Sequence, residues 1–336
     1  MSSSNRRIAA FVLVVSCLVL NTTAQENVVG ATDSSYISWV SQYPAVEGEK
    51  IKRNLGTRIA DFILGRKLVM ELNRPVAIAL KDYISMYILD QENGVIFQVK
   101  ENVGEIPHIR NKHYKIFPSL VGMSVFMNNS ILFTDSYYNR IFLFIPEKKA
   151  ITVFSDSIFD RPTGIIWLQS DHRIWVVETN AHRISVLDEQ GNILKRIGKR
   201  GTAPGEFNFP TSIWADKAGI VYIVDAMNFR VQIFSSEGEF ISQFGKPGDG
   251  TGDFARPKGI ATDSHGNIYI ADALFCAVQI FNSQGHLLYT FGTRGHGKGE
   301  FWMPSGIYID NRDQVYVADS YNSRIQVFQL MGGNKK

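Results

Sequence analysis

The chain of 336 residues contains 35 basic and 32 acidic residues, which gives a formal net charge of +3. This near balance implies no strongly acidic or basic partner, so we expect no nucleic-acid partner. The two cysteines, Cys17 and Cys276, exclude a framework of disulfides, because Cys17 lies inside an N-terminal leader.

Residues 1–24 have the pattern of a secretory signal peptide. Arg6 and Arg7 precede an apolar run over residues 8–20, and a small residue, Ala24, ends the segment. The run is shorter than the roughly 20 apolar residues that span a bilayer. We therefore expect export to the periplasm or outer cell envelope rather than retention by a membrane helix.

Two cleavage sites are compatible with this leader. Cys17 follows Val14-Val15-Ser16, a sequence similar to a bacterial lipobox, and lipidation there would end the signal at residue 16. Because Leu18-Val19-Leu20 continues the apolar run, cleavage after Ala24 is the alternative. A lipid on Cys17 would be the chain's only expected membrane attachment. Residues 25–48 are interpreted as a linker.

A repeat of 43 to 48 residues fills the chain from residue 73 to residue 330. Each unit opens with a proline, namely Pro75, Pro118, Pro162, Pro210, Pro257 and Pro304. An acidic residue closes the second apolar segment of each unit, namely Asp90, Asp135, Glu178, Asp225, Asp272 and Asp319. The six units begin near residues 73, 117, 161, 209, 256 and 303, and residues 331–336 form a tail.

The units have the pattern of antiparallel strands. Within the unit that starts at Pro210, apolar alternation is interrupted by a glycine turn and then by a turn led by Asp225. Units three to five add a fourth segment framed by glycines, as at Gly191 and Gly198. Four strands per unit at this period predict an all-β, six-bladed β-propeller of four-stranded antiparallel blades.

The last unit lacks its own fourth strand. Residues 49–56 match the spacing of residues 191–198, so we expect this N-terminal strand to complete blade six and close the ring. An unclosed ring would leave an unpaired strand edge. The predicted propeller domain therefore covers residues 49–330.

The repeated motifs resemble those of a known family. Pro-x-Gly-Ile, Asn-x-Arg-Ile/Val-Gln-Val/Ile-Phe and Gly-x-Gly-x-Gly-Glu/Asp-Phe are similar to NHL repeats, as in bacterial six-bladed NHL propeller proteins, most closely over residues 161–328. The resemblance implies the fold and the binding of a partner or ligand on one face. It implies no particular activity, because propellers carry unrelated functions.

Charged residues recur at fixed positions around the predicted ring. An Arg stands five residues after several of the acids, and its recurrence indicates a structural ion pair rather than a catalytic one. The set assigned to this structural role is Asp135, Arg140, Glu178, Arg183, Asp225, Arg230, Asp272, Asp319 and Arg324. Ala277 replaces the arginine in unit five, so the ring of ion pairs is incomplete.

Residues that differ from blade to blade indicate the functional surface. The turns between second and third strands share one face with the connectors between blades, and aromatic residues are frequent there. The candidate binding residues are Tyr137, Tyr138, His182, Met227, Phe229, Phe275, Trp302 and Tyr321.

These features favour a non-catalytic propeller that acts as a binding scaffold for a protein or another component of the cell envelope. We expect a monomer and assign no catalytic residue, metal ligand or cofactor. The alternative is a metal-dependent enzyme similar to a lactonase or lyase, with its site on the propeller axis.

Overall fold

The computed structural model describes residues 37–44, 72–81, 85–100, 108–109, 117–155 and 157–331, all within one compact unit. The strands of this part are β1 (Ile37–Tyr43), β2 (Pro75–Leu80), β3 (Ser85–Asp90), β4 (Val95–Lys100), β5 (His108–Ile109), β6 (Leu120–Phe126), β7 (Ser130–Asp135), β8 (Arg140–Ile145), β9 (Ala150–Val153), β10 (Pro162–Leu168), β11 (Arg173–Glu178), β12 (Arg183–Leu187), β13 (Ile193–Ile197), β14 (Pro210–Ala215), β15 (Val221–Asp225), β16 (Arg230–Phe234), β17 (Phe240–Phe244), β18 (Pro257–Thr262), β19 (Ile268–Asp272), β20 (Ala277–Phe281), β21 (Leu287–Phe291), β22 (Thr293–Arg294), β23 (Glu300–Phe301), β24 (Pro304–Ile309), β25 (Gln314–Asp319) and β26 (Arg324–Leu330).

Twenty-four of these strands build six antiparallel four-stranded sheets, the blades, and β22 and β23 pair with each other in parallel. Blades 1 to 5 take four consecutive strands each, starting with β2, β6, β10, β14 and β18, and blade 6 combines β24, β25 and β26 with β1. The first strand of each blade contacts the first strands of both neighbouring blades, and β2 contacts β24. The blades therefore form a closed ring around a central axis, which confirms the predicted six-bladed β-propeller.

The position of a strand within its blade determines its pattern of burial. All residues of β15 and β16, the middle strands of blade 4, are buried, because neighbouring blades cover both sheet faces. Along the outermost strand β13, half-buried and exposed residues alternate. The core lies between blades; for example, Trp175 of blade 3 packs in one cluster with Val221 of blade 4.

Three connectors between blades use the same glycine–phenylalanine pair. Phe207, Phe254 and Phe301 are completely buried. A Cβ atom at Gly198 would lie 2.4 Å from the Phe207 ring, and the glycine has φ of +88°. Both the close contact and the positive backbone angle require glycine. Each connector therefore leaves its blade at this glycine and packs its phenylalanine against it.

Closure by an N-terminal strand is confirmed, but the predicted segment is wrong. The outermost strand of blade 6 is β1, which pairs antiparallel with β26 from Ile37↔Leu330 to Tyr43↔Ile325. Ile37 is buried in the core cluster of blade 6, and Trp39 Nε1 donates to Gln326 Oε1 at 3.1 Å. These contacts, rather than a glycine frame, select the closing strand. The predicted linker 25–48 thus contains a strand, whereas residues 49–56 lie outside the described residues.

The start of blade 2 also differs from the prediction. Leu120 pairs with Asp135, as Pro162 pairs with Glu178 in blade 3. Pro118 therefore precedes the strand by two residues and does not open it. Leucine is accepted at this position because an ordinary residue also satisfies the extended backbone that proline favours.

The helical elements of the described chain are five single turns of 3₁₀ helix. They are Met127–Asn129, Pro146–Lys148, Gln169–Asp171, Ala226–Asn228 and Ser320–Asn322. None of the helices in the described ranges has the length and apolarity needed to cross a bilayer.

Candidate functional site: the connector face and the axial cup

One end of the ring carries both the connectors between blades and the turns between second and third strands, and we call it the connector face. Each of these turns has four residues after the acid. The second of the four is exposed in every blade, as Glu92, Tyr137, Asn180, Met227, Leu274 and Tyr321. The geometry of the turn therefore decides which residues face outward, independently of their chemical type.

The third and fourth turn positions are held closer to the blade. Tyr138 and Phe275 occupy the third position and are half-buried, and the Tyr138 ring packs edge-on against Phe142 at 6.3 Å. The fourth position is left-handed, with φ of +53° at Phe229 and +52° at His182. These four candidate residues are thus less accessible than Tyr137 and Met227.

The His182 side chain makes its contacts with other residues of the propeller. It is 8% exposed, and its Nδ1 accepts a hydrogen bond from the backbone N–H of Phe209 at 3.0 Å. The two rings pack edge-on with centroids 4.4 Å apart. This arrangement uses His182 to position Phe209 at the surface.

Seven large apolar side chains are exposed on the connector face, and we call them the apolar arc. Their side chains are between 37 and 70% exposed. The arc consists of Tyr137, Ile158, Phe209, Met227, Leu274, Trp302 and Tyr321. Sequence reasoning missed Ile158, Phe209 and Leu274. Leu274 is in the same turn position as Met227, so alignment of the turns would have found it.

The blade 6 end of the arc is organised by ring contacts. The Trp302 ring lies 5.8 Å from Tyr321 and 5.2 Å from His296. The guanidinium of Arg74, from blade 1, lies 5.4 Å from the centroid of the Tyr321 ring. These contacts restrict the rotamers of exposed rings before any partner binds.

Beneath the arc, an acid and an arginine tie the incoming connector to the blade in blades 4 and 6. Asp225 Oδ2 accepts hydrogen bonds from Arg230 Nε at 2.8 Å and from Asn228 Nδ2 at 2.8 Å. Arg230 also donates to the backbone oxygens of Thr202, Ala203 and Glu206 in the connector. Asp319 and Arg324 repeat this arrangement in blade 6.

The corresponding acids of other blades have different partners. Arg183 donates two hydrogen bonds to Glu178, at 2.9 and 3.0 Å. Burial alone would raise the pKa of Glu178, but hydrogen bonds from Arg183, Ser185 and the Asp160 backbone lower it overall.

Asp135 and Asp272 accept backbone hydrogen bonds. Burial raises the pKa of Asp135 despite N–H donors at Ser119, Tyr137 and Tyr138. The guanidinium of Arg140 in the same blade donates to Ser155 O at 3.4 Å. Asp272, whose blade has Ala277 in place of the arginine, accepts from the backbone at Ala255, Arg256, Leu274 and Phe275.

The propeller axis opens on the connector face into a cavity of about 520 Å³, which we call the axial cup. The first strands of all six blades line it. Deeper along the axis, Trp214 of blade 4 and Tyr308 of blade 6 meet edge-on with centroids 5.5 Å apart. Both rings also line a second cavity toward the opposite end, so they form part of the partition between the two.

The wall of the cup combines hydroxyl, apolar and cationic groups. Thr163 and Thr179 hydrogen-bond each other at 2.8 Å, and Thr179 Oγ1 donates to Pro210 O of the next blade. Lys258 and Arg161 are the charged residues of the described lining. The lining described here supplies no carboxylate, imidazole or thiolate, which are the groups that bind metals in catalytic sites.

Comparisons with known proteins agree with the fold. A family model described as a 6-bladed beta-propeller matches residues 162–229 and 218–275, and the NHL repeat model matches residues 301–328. The chain is a six-bladed β-propeller that contains an NHL repeat, and we call it the NHL propeller. No curated protein matches the NHL propeller significantly.

Solved structures similar to the NHL propeller include both enzymes and binding proteins. Virginiamycin B lyase from Staphylococcus aureus is 16% identical with a TM-score of 0.57, covering 78% of this chain and 98% of that one. A gluconolactonase from Xanthomonas campestris is 13% identical with a TM-score of 0.60, covering 78% and 87%. An auxiliary nutrient binding protein from Bacteroides thetaiotaomicron is 15% identical with a TM-score of 0.62, covering 77% and 69%. At these identities the similarity shows the fold alone.

Proposed function

We propose that the NHL propeller is a non-catalytic binding scaffold that holds a partner protein on its connector face. The observation that carries this proposal is the apolar arc, seven exposed large side chains spread over one face of the ring. Large apolar side chains gathered on one exposed face of a protein favour an interaction surface there.

The composition of the arc suits a protein partner. Two of its members, Trp302 and Tyr321, belong to the residue types that contribute most to protein–protein binding energy. Their rings are already packed together, so little side-chain entropy would be lost on association. Met227, which is 54% exposed, adds a flexible side chain that adapts to different surfaces.

The enzyme alternative receives less support from the described residues. A metal-dependent lactonase or lyase needs metal ligands on the axis, and the described cup wall supplies hydroxyls and cations instead. No group of three or more His, Cys, Asp or Glu suited to a metal is found in the described ranges. The nutrient binding protein among the structural neighbours shows that this fold also serves binding.

The proposed location is the cell envelope, on the basis of the signal-like residues 1–24. Intact mass spectrometry of the protein from its native cells tests this. A mass beginning at Cys17 with an added lipid supports a tethered scaffold, and a mass beginning at Gln25 supports a free one. An uncleaved chain recovered from the cytosol would contradict export.

Alanine substitutions can separate the connector face from the rest of the surface. The test variant combines Tyr137→Ala, Met227→Ala and Tyr321→Ala. The matched control combines Leu194→Ala, Ile241→Ala and Leu288→Ala, three residues on outermost strands that are 51 to 55% exposed. Binding is measured by affinity capture from envelope extracts with quantitative mass spectrometry.

The proposal expects one set of proteins to be captured by the wild type and by the control, and to be lost with the test variant. Equal capture by both variants would place the interaction elsewhere. Loss of capture by both would indicate non-specific apolar adhesion and would also contradict the proposal.

A further inference from the structure

Within the axial cup, one layer of side chains differs sharply from blade to blade. This layer consists of the second residue of each innermost strand. The first residue of that strand pairs with the recurring acid, as Pro257 pairs with Asp272 in blade 5. The six residues are Val76, Val121, Thr163, Thr211, Lys258 and Ser305. Lys258 is the one charged member, so blade 5 alone places an ammonium group on the wall.

All six residues of this layer line the cup. The residue that follows them is glycine in four blades, and its Cβ would meet the neighbouring blade's backbone, for example Ser305 O at 2.3 Å from Gly259. The pairing register shifts at this point of the strand, between Pro257 and Ile260 in blade 5, so strict alternation of side chains does not apply there. The cavity lining itself places Lys258 on the cup wall.

The ammonium of Lys258 has no hydrogen bond or ion pair with any other described residue, although the side chain is half-buried. Burial lowers the pKa of Lys258, and the nearby positive charges of Arg256 and Arg161 lower it further. Lys258 and Arg161 thus belong to the lining of a cavity whose described wall has no acid. Charges withdrawn from bulk water in proteins are normally paired, so the missing counter-charge points to a ligand.

A second unpaired polar group lies one blade away. The hydroxyl Oγ1 of Thr211 is buried and has no hydrogen-bond partner among the described residues. It belongs to the same layer as Lys258 and to the same cavity lining. Rotation of this side chain between staggered rotamers would turn the hydroxyl toward a ligand held by Lys258.

The deeper part of the cup is apolar. Trp214 and Tyr308 follow the residues of the Lys258 layer in their own strands by three positions. A strand rises by roughly 3.3 Å per residue, so the two rings lie about 10 Å further along the axis than this layer. Ile166 also lines this region. A ligand that spans the cup would therefore meet cations at one end and aromatic rings at the other.

We propose that the axial cup binds a small organic acid, with its carboxylate at Lys258 and Arg161 and an apolar body against Trp214 and Tyr308. The cavity volume of about 520 Å³ lies within the range of about 300 to 1,000 Å³ usual for small-molecule sites. This site is distinct from the apolar arc, and it does not depend on the proposed protein partner.

Isothermal titration calorimetry with three probes tests the proposal. 3-Phenylpropionate carries both the carboxylate and an aromatic body, its primary amide keeps the body without the charge, and inorganic phosphate supplies an anion without the body. Each is titrated to millimolar concentrations into the wild type, into Lys258→Met and into Lys217→Met. Lys217 is an exposed lysine on the opposite end of the ring and serves as the matched control.

We expect 3-phenylpropionate to bind the wild type and Lys217→Met equally, and to bind Lys258→Met about tenfold or more weakly, as loss of a charge-assisted hydrogen bond implies. The amide should bind about tenfold or more weakly than the acid to the wild type.

Three results with the acid would each overturn the proposal: absence of binding to the wild type, binding equal to that of the amide, or unchanged binding to Lys258→Met. Stronger binding of phosphate than of the acid would also overturn it. Capture of a protein partner by the connector face is measured separately and is unaffected by any of these outcomes.

Discussion

Arg230 donates its Nε–H to Oδ2 of Asp225 at 2.8 Å, with 8% of the arginine side chain and none of the aspartate side chain exposed. Its two terminal nitrogens donate to the carbonyls of Thr202, Ala203 and Glu206 in the connector that arrives from blade 3, and one of them also donates to Gln243 Oε1 at 2.8 Å. One ion pair therefore joins the turn of blade 4 to the backbone that precedes it. The acid and the arginine therefore recur because they stabilise the fold.

Removal of one partner of this pair should be strongly destabilising. In Arg230→Met the carboxylate of Asp225 stays buried without its cation, and breaking such a pair costs about 3–5 kcal/mol. We expect a loss of this order in the free energy of unfolding, measured by urea denaturation. Lys199→Met, which removes the exposed end of the Lys199–Glu206 pair at 3.3 Å, should change stability by less than about 1 kcal/mol. Equal effects of both substitutions would contradict the structural role of Arg230.

The stability contributed by Glu178 should depend on pH. Its pKa is lower in the folded chain than its ordinary value of 4.5, so its ionised form is favoured by folding. The contribution is complete above the unfolded pKa and is lost as pH falls through the folded one. Glu178→Gln should cost about 2 kcal/mol at pH 7 and progressively less below pH 4.5, measured by denaturation at several pH values. A cost that is independent of pH would contradict this account.

Lys258 should destabilise the folded chain at neutral pH, whereas Glu178 stabilises it. Because its pKa is lowered in the folded protein, the unfolded chain binds its proton more tightly, and stability rises as pH increases through the folded pKa toward the ordinary value of 10.5. Lys258→Met should therefore raise the melting temperature at pH 7, and the gain should shrink at higher pH. Lys217→Met serves as the exposed control and should show neither effect. A lower melting temperature for Lys258→Met at pH 7 would mean that Lys258 stabilises the empty propeller.

The closing strand provides a test of the ring. A chain that begins at residue 45 lacks β1 and leaves the edge of β26 unpaired, so we expect a lower melting temperature and a tendency to aggregate. A chain that begins at residue 36 keeps β1 and should match the full-length protein. If both chains are equally stable and monomeric, a different segment closes blade 6.

The repeat could be predicted from the sequence because each blade places the same chemistry at the same interval. Gly198 with Phe207 and Asp225 with Arg230 are examples in which local spacing encodes a contact. The predicted closing strand, residues 49–56, is wrong because the closing strand is selected by contacts distant in sequence, such as Trp39 with Gln326. A match to the glycine frame of residues 191–198 carries no information about those contacts.

The candidate site was predictable in part. The connector face and several of its exposed residues follow from the order of strands and turns. The distinction between exposed Met227 and half-buried Phe229 depends on turn geometry, which becomes apparent only when all six turns are superimposed. Lys258 did leave a signal in the sequence, since it is the one charged residue that follows the opening residue of an innermost strand. The meeting of Trp214 with Tyr308 across the axis required the structure.

Site-specific photocrosslinking in the native cells tests the central claim, partner binding on the connector face, most directly. A photoactivatable amino acid replaces Met227 in one variant and Ile241 in the other, two residues of blade 4 that are 54 and 51% exposed. We expect a discrete crosslinked protein from position 227 and none from position 241. The same products from both positions, or products from position 241 alone, would contradict a binding site on the connector face.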